Sequence, residues 1–160
     1  MGNELATTTS KRPALPKHLV VEQVFVTVYV EKQLFGIPVE KVQDILIPER
    51  IANIPLAPKE VAGAINLRGR IVTVIDVRKR LGLADSNESN RMCTTVELGN
   101  ELYSLMVDDV GTVISLNPDK IEPNPSTLNH KWRSISAGVI RLEKELMIVL
   151  DIDSLLKLDN

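Results

Sequence analysis

The chain carries two diverged copies of one unit. Ala62-Gly63-Ala64-Ile65-Asn66-Leu67 and Ile71-Val72-Thr73-Val74-Ile75-Asp76-Val77 return as Ala137-Gly138-Val139-Ile140-Arg141-Leu142 and Leu146-Met147-Ile148-Val149-Leu150-Asp151-Ile152, at a constant offset of 75 and without a gap. The same offset carries Leu81 onto Leu156 and Leu83 onto Leu158. Upstream, Leu34-Phe35-Gly36-Ile37-Pro38-Val39 and Val42 match Leu102-Tyr103-Ser104-Leu105-Met106-Val107 and Val110 at an offset of 68. Matches that keep their order across a whole unit are not the chance likeness of two hairpins. They are a duplication, and a repeat is the sequence feature that most narrows the choice of architecture.

Short apolar runs rich in β-branched residues and bounded by turn residues predict ten strands, over 24–30, 33–38, 45–47, 64–67, 71–76, 92–98, 101–107, 113–116, 137–142 and 146–151. Only 77–83 and 152–158 have apolar residues at helical spacing, each after a strand that ends in Asp. The expected class is therefore all-β, barrels or a sandwich, with short helices. Each copy would form one lobe, with strands at roughly 24–83 and 91–158, too small to bury its faces alone. Two lobes packed on a shared core solve that problem and leave a groove where they meet, a common place for binding. Residues 1–19, with Thr7-Thr8-Thr9-Ser10, Pro13 and Pro16, predict a flexible tail ahead of a folded region over 20–160.

Nothing in the chain reads as a catalytic constellation. It has no Gly-x-Ser-x-Gly elbow, phosphate loop, Cys-x-x-Cys or His-Glu-x-x-His pattern. His18 falls in the tail and His130 in a polar loop, while Cys93 stands in a strand pattern where a buried thiol is commoner than a nucleophile. Asp76 and Asp151 sit at equivalent strand-to-helix junctions, which predicts helix caps rather than metal ligands. We expect no enzyme activity, no cofactor and no metal. A lone cysteine and the lack of a long apolar run predict a cytoplasmic protein with no direct membrane insertion.

Arg68, Arg70, Arg78, Lys79 and Arg80 concentrate positive charge in the first copy. Nucleic acid is one reading. Against it stand a formal net charge of -2 and 3% aromatic residues, too few for base-stacking platforms. A solvated or partner-binding basic face is the better expectation. Arg68-Gly69-Arg70 forms the tip of a predicted hairpin, and its counterpart Glu143-Lys144-Glu145 has the charge largely inverted. Similar lobes with dissimilar tips suit an adaptor that holds unlike partners.

Gly36-Ile37-Pro38-Val39-x-x-Val42-x-Asp44-Ile45, Ile65-Asn66-Leu67-Arg68-Gly69 and Ile75-Asp76-Val77-Arg78 together resemble the CheW-type chemotaxis coupling proteins, and Val107-Asp108-Asp109-Val110 and Ala137-Gly138-Val139-Ile140 fit the second half of that pattern. The resemblance runs from about Val24 to Leu158. It implies two SH3-like five-stranded β-barrel lobes around a shared core. It also implies a non-catalytic adaptor between the cytoplasmic tips of methyl-accepting chemoreceptors and the regulatory domain of the CheA histidine kinase, recruited to membrane-associated receptor arrays. A coupling scaffold of a non-motility chemosensory pathway is the alternative within the family, and a nucleic-acid-binding β-barrel the alternative outside it. Val42, Asp44 and Arg68 match family positions concerned with receptor or kinase contact, and with Gly69 and Arg70 they make up the candidate site. The family often has Glu where this chain has Asp44; an Asp44–Arg68 pair ordering the loop at the groove is expected.

Overall fold

The computed structural model describes residues 22–86 and 91–158, so the predicted tail and His18 lie outside the described residues. Among the described residues ten strands form, at or near the predicted places. They are β1 (Gln23–Val30), β2 (Gln33–Pro38), β3 (Val42–Leu46), β4 (Val61–Leu67), β5 (Arg70–Asp76), β6 (Met92–Leu98), β7 (Glu101–Val107), β8 (Asp109–Leu116), β9 (Ser136–Arg141) and β10 (Leu146–Leu150). Three one-turn helices complete the frame, α1 (Val77–Arg80), α2 (His130–Arg133) and α3 (Ile152–Leu155). Asp76 and Asp151 do cap their helices: Asp76 Oδ1 accepts the Lys79 N–H and Asp151 Oδ1 accepts the Ser154 N–H, at 3.4 and 3.3 Å. The loop reading of His130 is corrected by α2, which Asn129 caps by accepting the Lys131 N–H.

The strands make two five-stranded mixed sheets, ordered β8-β1-β2-β10-β9 and β3-β6-β7-β5-β4. The sequence offsets pair β1 through β5 with β6 through β10, and that substitution turns one strand order into the other. The duplication is thus a structural pseudo-symmetry. The expectation that each copy forms its own lobe needs correcting, because each sheet draws on both copies. The β1–β2 hairpin joins the second copy through a parallel β2–β10 pairing, with Phe35 opposite Ile148, and the β6–β7 hairpin joins the first copy through a parallel β7–β5 pairing. Exchange of identical elements between two copies keeps every local contact and fuses the halves.

Strand closure differs from expectation as well. The edge strands of each sheet do not pair with one another, so the barrels are open. The chain returning to β4 makes a bridge from Ala52 to Ala64, and the chain returning to β9 makes one from Glu122 to Val139. These bridges occupy the outer edges of β4 and β9, satisfying backbone groups that a closed barrel would pair otherwise.

The pleat divides the apolar side chains among three cores. Between the sheets lies the shared one, with Val28, Phe35 and Ile148 from one sheet meeting Ile75, Val96 and Leu105 from the other. Phe25, Leu34, Met147 and Val149 fill the first sheet's own core, and Ile65, Val72, Val74 and Cys93 that of the second. Strands buried on both faces have no polar face, which is why β1 reads as a nearly unbroken apolar run. Trp132 of α2 packs its ring 5.6 Å from that of Phe35 and donates its indole N–H to the Leu81 carbonyl at 3.2 Å.

Candidate functional site

The chain crosses from one sheet to the other at two places, through the 3-10 turn Val39–Lys41 and through Asp108. Asp108 is held tightly. Arg78 Nε and Nη2 donate to its two carboxylate oxygens at 2.8 and 2.7 Å, the same Nη2 lies 2.8 Å from Glu31 Oε1, and Arg78 Nη1 donates to the Ala84 carbonyl. Asp108 Oδ2 also accepts the Glu31 N–H at 2.8 Å. The Arg78 side chain is 9% exposed. Its hydrogen bonds with Asp108 raise the guanidinium pKa further above its usual value. Burial pushes the Asp108 carboxyl up, but the Arg78 hydrogen bonds and the Glu31 N–H outweigh it and hold the acid below the usual carboxylate range.

This clasp forms one wall of an open groove of about 770 Å³ between the sheets. Glu31 and Lys32 on the β1–β2 turn, Asp109 on β8, and Ile47 and Pro48 beyond β3 line it. A second groove, of about 480 Å³, lies on the β3–β4–β5 sheet and is mostly apolar, with Ala64, Ile65 and Ile71 on its floor and wall. Ile47 and Pro48 belong to both. Ile47 and Ile71 are 70% and 73% exposed, apolar surface of the kind that marks contact sites.

The expected Asp44–Arg68 ion pair is present, Arg68 Nη2 standing 3.0 Å from Asp44 Oδ2. Arg68 and Gly69 form the two-residue β4–β5 turn with φ of +52° and +84°, and the Asn66 side chain accepts the Gly69 N–H at 2.9 Å. Both central residues having positive φ is the type I′ geometry that fits the twist of a hairpin. Arg70 is exposed beside it, its Nη2 3.5 Å from the Asn100 carbonyl, whereas Val42 is half-buried and packs against the shared core. The structure therefore brings Asp44, Arg68 and Gly69 together, flanking the second groove's Leu46 and Asn66 rather than lining the groove between the sheets.

The predicted basic face keeps exposed Arg68, Arg70 and Lys79 but loses its other two members. Arg78 is consumed by the clasp, and Arg80 donates to the carbonyls of Ser154 and Leu155 at the end of α3. Cys93 is fully buried, and desolvation raises its thiol pKa. Sequence reasoning missed Glu31 and Lys32. A signal for them was present, since the repeat sets them against Gly99-Asn100, ordinary turn residues.

A family model described as the CheW-like domain matches residues 24–160. The chain belongs to the CheW family. It is accordingly a chemotaxis scaffolding and coupling protein, and a non-catalytic one. Among curated relatives, the chemotaxis protein CheW of Klebsiella aerogenes is 29% identical over 137 residues, 85% of this chain and 82% of that protein. The CheW of Rhizobium meliloti is 30% identical over 101 residues, 62% of this chain and 65% of its own length. Among solved structures, the scaffolding protein TtCheW from Thermoanaerobacter tengcongensis superposes with a TM-score of 0.78 at 27% identity, over 87% of this chain and 95% of that one. The CheW fold is thus the fold of this protein.

Proposed function

We propose that the protein links the cytoplasmic tips of methyl-accepting chemoreceptors to the regulatory domain of the CheA histidine kinase, in the cytoplasm at receptor arrays. The observation that carries this reading beyond family membership is the pairing of two pseudo-symmetric sheets with unlike outer features and a groove between them. The groove suits an inserted helical segment, hence the receptor tip. The open apolar surface around Ile71 and the Arg68-Gly69 turn suits a β-rich partner, hence the kinase domain. An adaptor needs two such surfaces that are filled at once. At the matching place on the other sheet, Arg141 and Glu122 form a double hydrogen-bonded pair where the first has Asn66 and Ala52, so a charged pair stands on one sheet where the other has the wall of the second groove.

Co-purification of the protein with a receptor cytoplasmic fragment and with the kinase regulatory domain, separately and together, tests the proposal. Retention of both at once is expected; retention of neither would reject it. A nucleic-acid role would instead show as steeply salt-dependent oligonucleotide binding. The internal consumption of Arg78 and Arg80 argues against that.

The Asp44–Arg68 pair gives a sharper expectation. Arg68 is 77% exposed, so the pair should add only about 0.2–1 kcal/mol to folding stability. Its effect should appear in binding. Arg68→Glu is expected to weaken kinase-domain affinity roughly tenfold, and Asp44→Arg in the same chain to restore part of the loss. Independent, additive effects in that double-mutant cycle would refute a shared role.

A further inference from the structure

The β1–β2 turn is built against backbone preference. Glu31 and Lys32 have φ of +51° and +65°, in the left-handed region that side chains other than Gly, Asn and Asp avoid. The repeat supplies an internal control. Glu31 and Lys32 correspond, at the offset of 68, to Gly99 and Asn100, and there Gly99 takes the positive φ with no atom near its would-be Cβ. The equivalent two-residue hairpin between β6 and β7 thus closes with glycine at its first turn position and no positive φ at its second, and carries no such strain. Strain of this kind in one copy only is a reason to look for work done by the side chains.

Glu31 has a visible task, since its carboxylate meets Arg78 and its N–H meets Asp108. These bonds fix the turn against the crossover between the sheets. Lys32 has none. Of the charged side chains that line the inter-sheet groove, Glu31, Arg78 and Asp108 are paired with one another, Arg91 stands 3.6 Å from Asp76, and Asp109 accepts the Val110 N–H. Lys32 alone has no hydrogen bond or ion pair among the described residues, and it is exposed at the groove.

We infer that Lys32, held by the strained and clasped turn, is a specificity-determining contact of the groove and meets an acidic side chain of the receptor segment that occupies it. This rests on the coupling function proposed above. The chemistry is plain: a single unpaired ammonium on a fixed wall selects a partner with a carboxylate at the facing position, and the clasp removes the ordering cost that a mobile turn would add.

The test uses the full chain with Lys32→Gly, Lys32→Glu and Lys32→Arg, measuring affinity for a receptor cytoplasmic fragment and for the kinase regulatory domain, with Tm recorded for each. Glycine relieves the backbone and removes the charge, so Tm should stay level or rise while receptor affinity falls about tenfold. Glutamate should weaken it further, arginine should stay within about threefold of the parent, and kinase affinity should hold throughout. Unchanged receptor affinity in the glycine and glutamate variants would overturn the inference alone. A Lys32→Gly chain that melts several degrees lower would overturn it too, by showing that the side chain serves folding. If the parent protein fails to bind the receptor fragment at all, the coupling reading falls, and this inference with it.

Discussion

Gly63→Ala is expected to destabilise the protein by about 3 kcal/mol or more, while Gly69→Ala costs about 1–2 kcal/mol. Both glycines have positive φ, +149° and +84°, so backbone preference alone does not separate them. Space does. A Cβ on Gly63 would fall on the carbonyl oxygen of Ala52 and 2.6 Å from Ile51 Cγ2, whereas one on Gly69 would meet nothing within 4 Å. Ala52 cannot yield, because it exchanges two 2.8 Å backbone hydrogen bonds with Ala64. Pushing it off the edge of β4 uncovers that edge and displaces the chain that walls the second groove, so the variant should also lose kinase-domain binding. For a chain of this size the stability loss corresponds to a fall in Tm of roughly 6–12 °C. Gly138 is the repeat counterpart, with φ of +146° and a would-be Cβ 2.8 Å from the Glu122 carbonyl oxygen, and its alanine variant should fall in the same range. Thermal melts of the three variants decide the matter; similar losses at Gly63 and Gly69 would refute the close-approach account.

Those glycines show what the sequence discloses and what it hides. Their equivalence at the 75-residue offset was legible, as were the ten strands, the two Asp caps and the buried thiol, because each rests on local pattern. The exchange of hairpins between the copies was not, since a strand in a duplicated unit presents the same apolar faces to its own copy and to the other. Strand β3 was read only from Ile45 because its alternation of half-buried and exposed residues, on an edge, gives no continuous apolar run. Two members of the basic cluster misled for a different reason. Arg78 and Arg80 find their partners at Asp108 and at Ser154 and Leu155, far along the chain, and nothing near them in sequence announces it. Family resemblance supplied Asp44 and Arg68, whereas Glu31 and Lys32 needed backbone geometry before their oddity had meaning.

The clasp itself yields the second large effect. Asp108→Asn is expected to cost about 3 kcal/mol at neutral pH, near the low end for breaking a buried ion pair. The low end applies because Asp108 is 20% exposed and Glu31 stays beside Arg78. Burial rather than bond count is the cause, and Glu122 provides the comparison. It too receives two guanidinium hydrogen bonds, from Arg141, but those side chains are 42% and 75% exposed, so Glu122→Gln should change stability by no more than about 1 kcal/mol. The pH dependence follows from the depressed Asp108 pKa. A carboxylate more acidic folded than unfolded contributes stability that is fully present above its unfolded pKa, about 3.9, and is lost as pH falls through the folded value. The gap between the parent and Asp108→Asn should therefore be widest above about pH 5 and narrow steadily below pH 4. Arg78, with its pKa raised, remains charged throughout and adds no window of its own. Denaturant titrations of the parent, Asp108→Asn and Glu122→Gln at neutral and acid pH measure all of this. A gap that does not narrow in acid, or equal losses in the two variants, would show that the crossover is not held by a buried charge. The Glu31–Lys32 turn would then have no fixed anchor from which to face the groove.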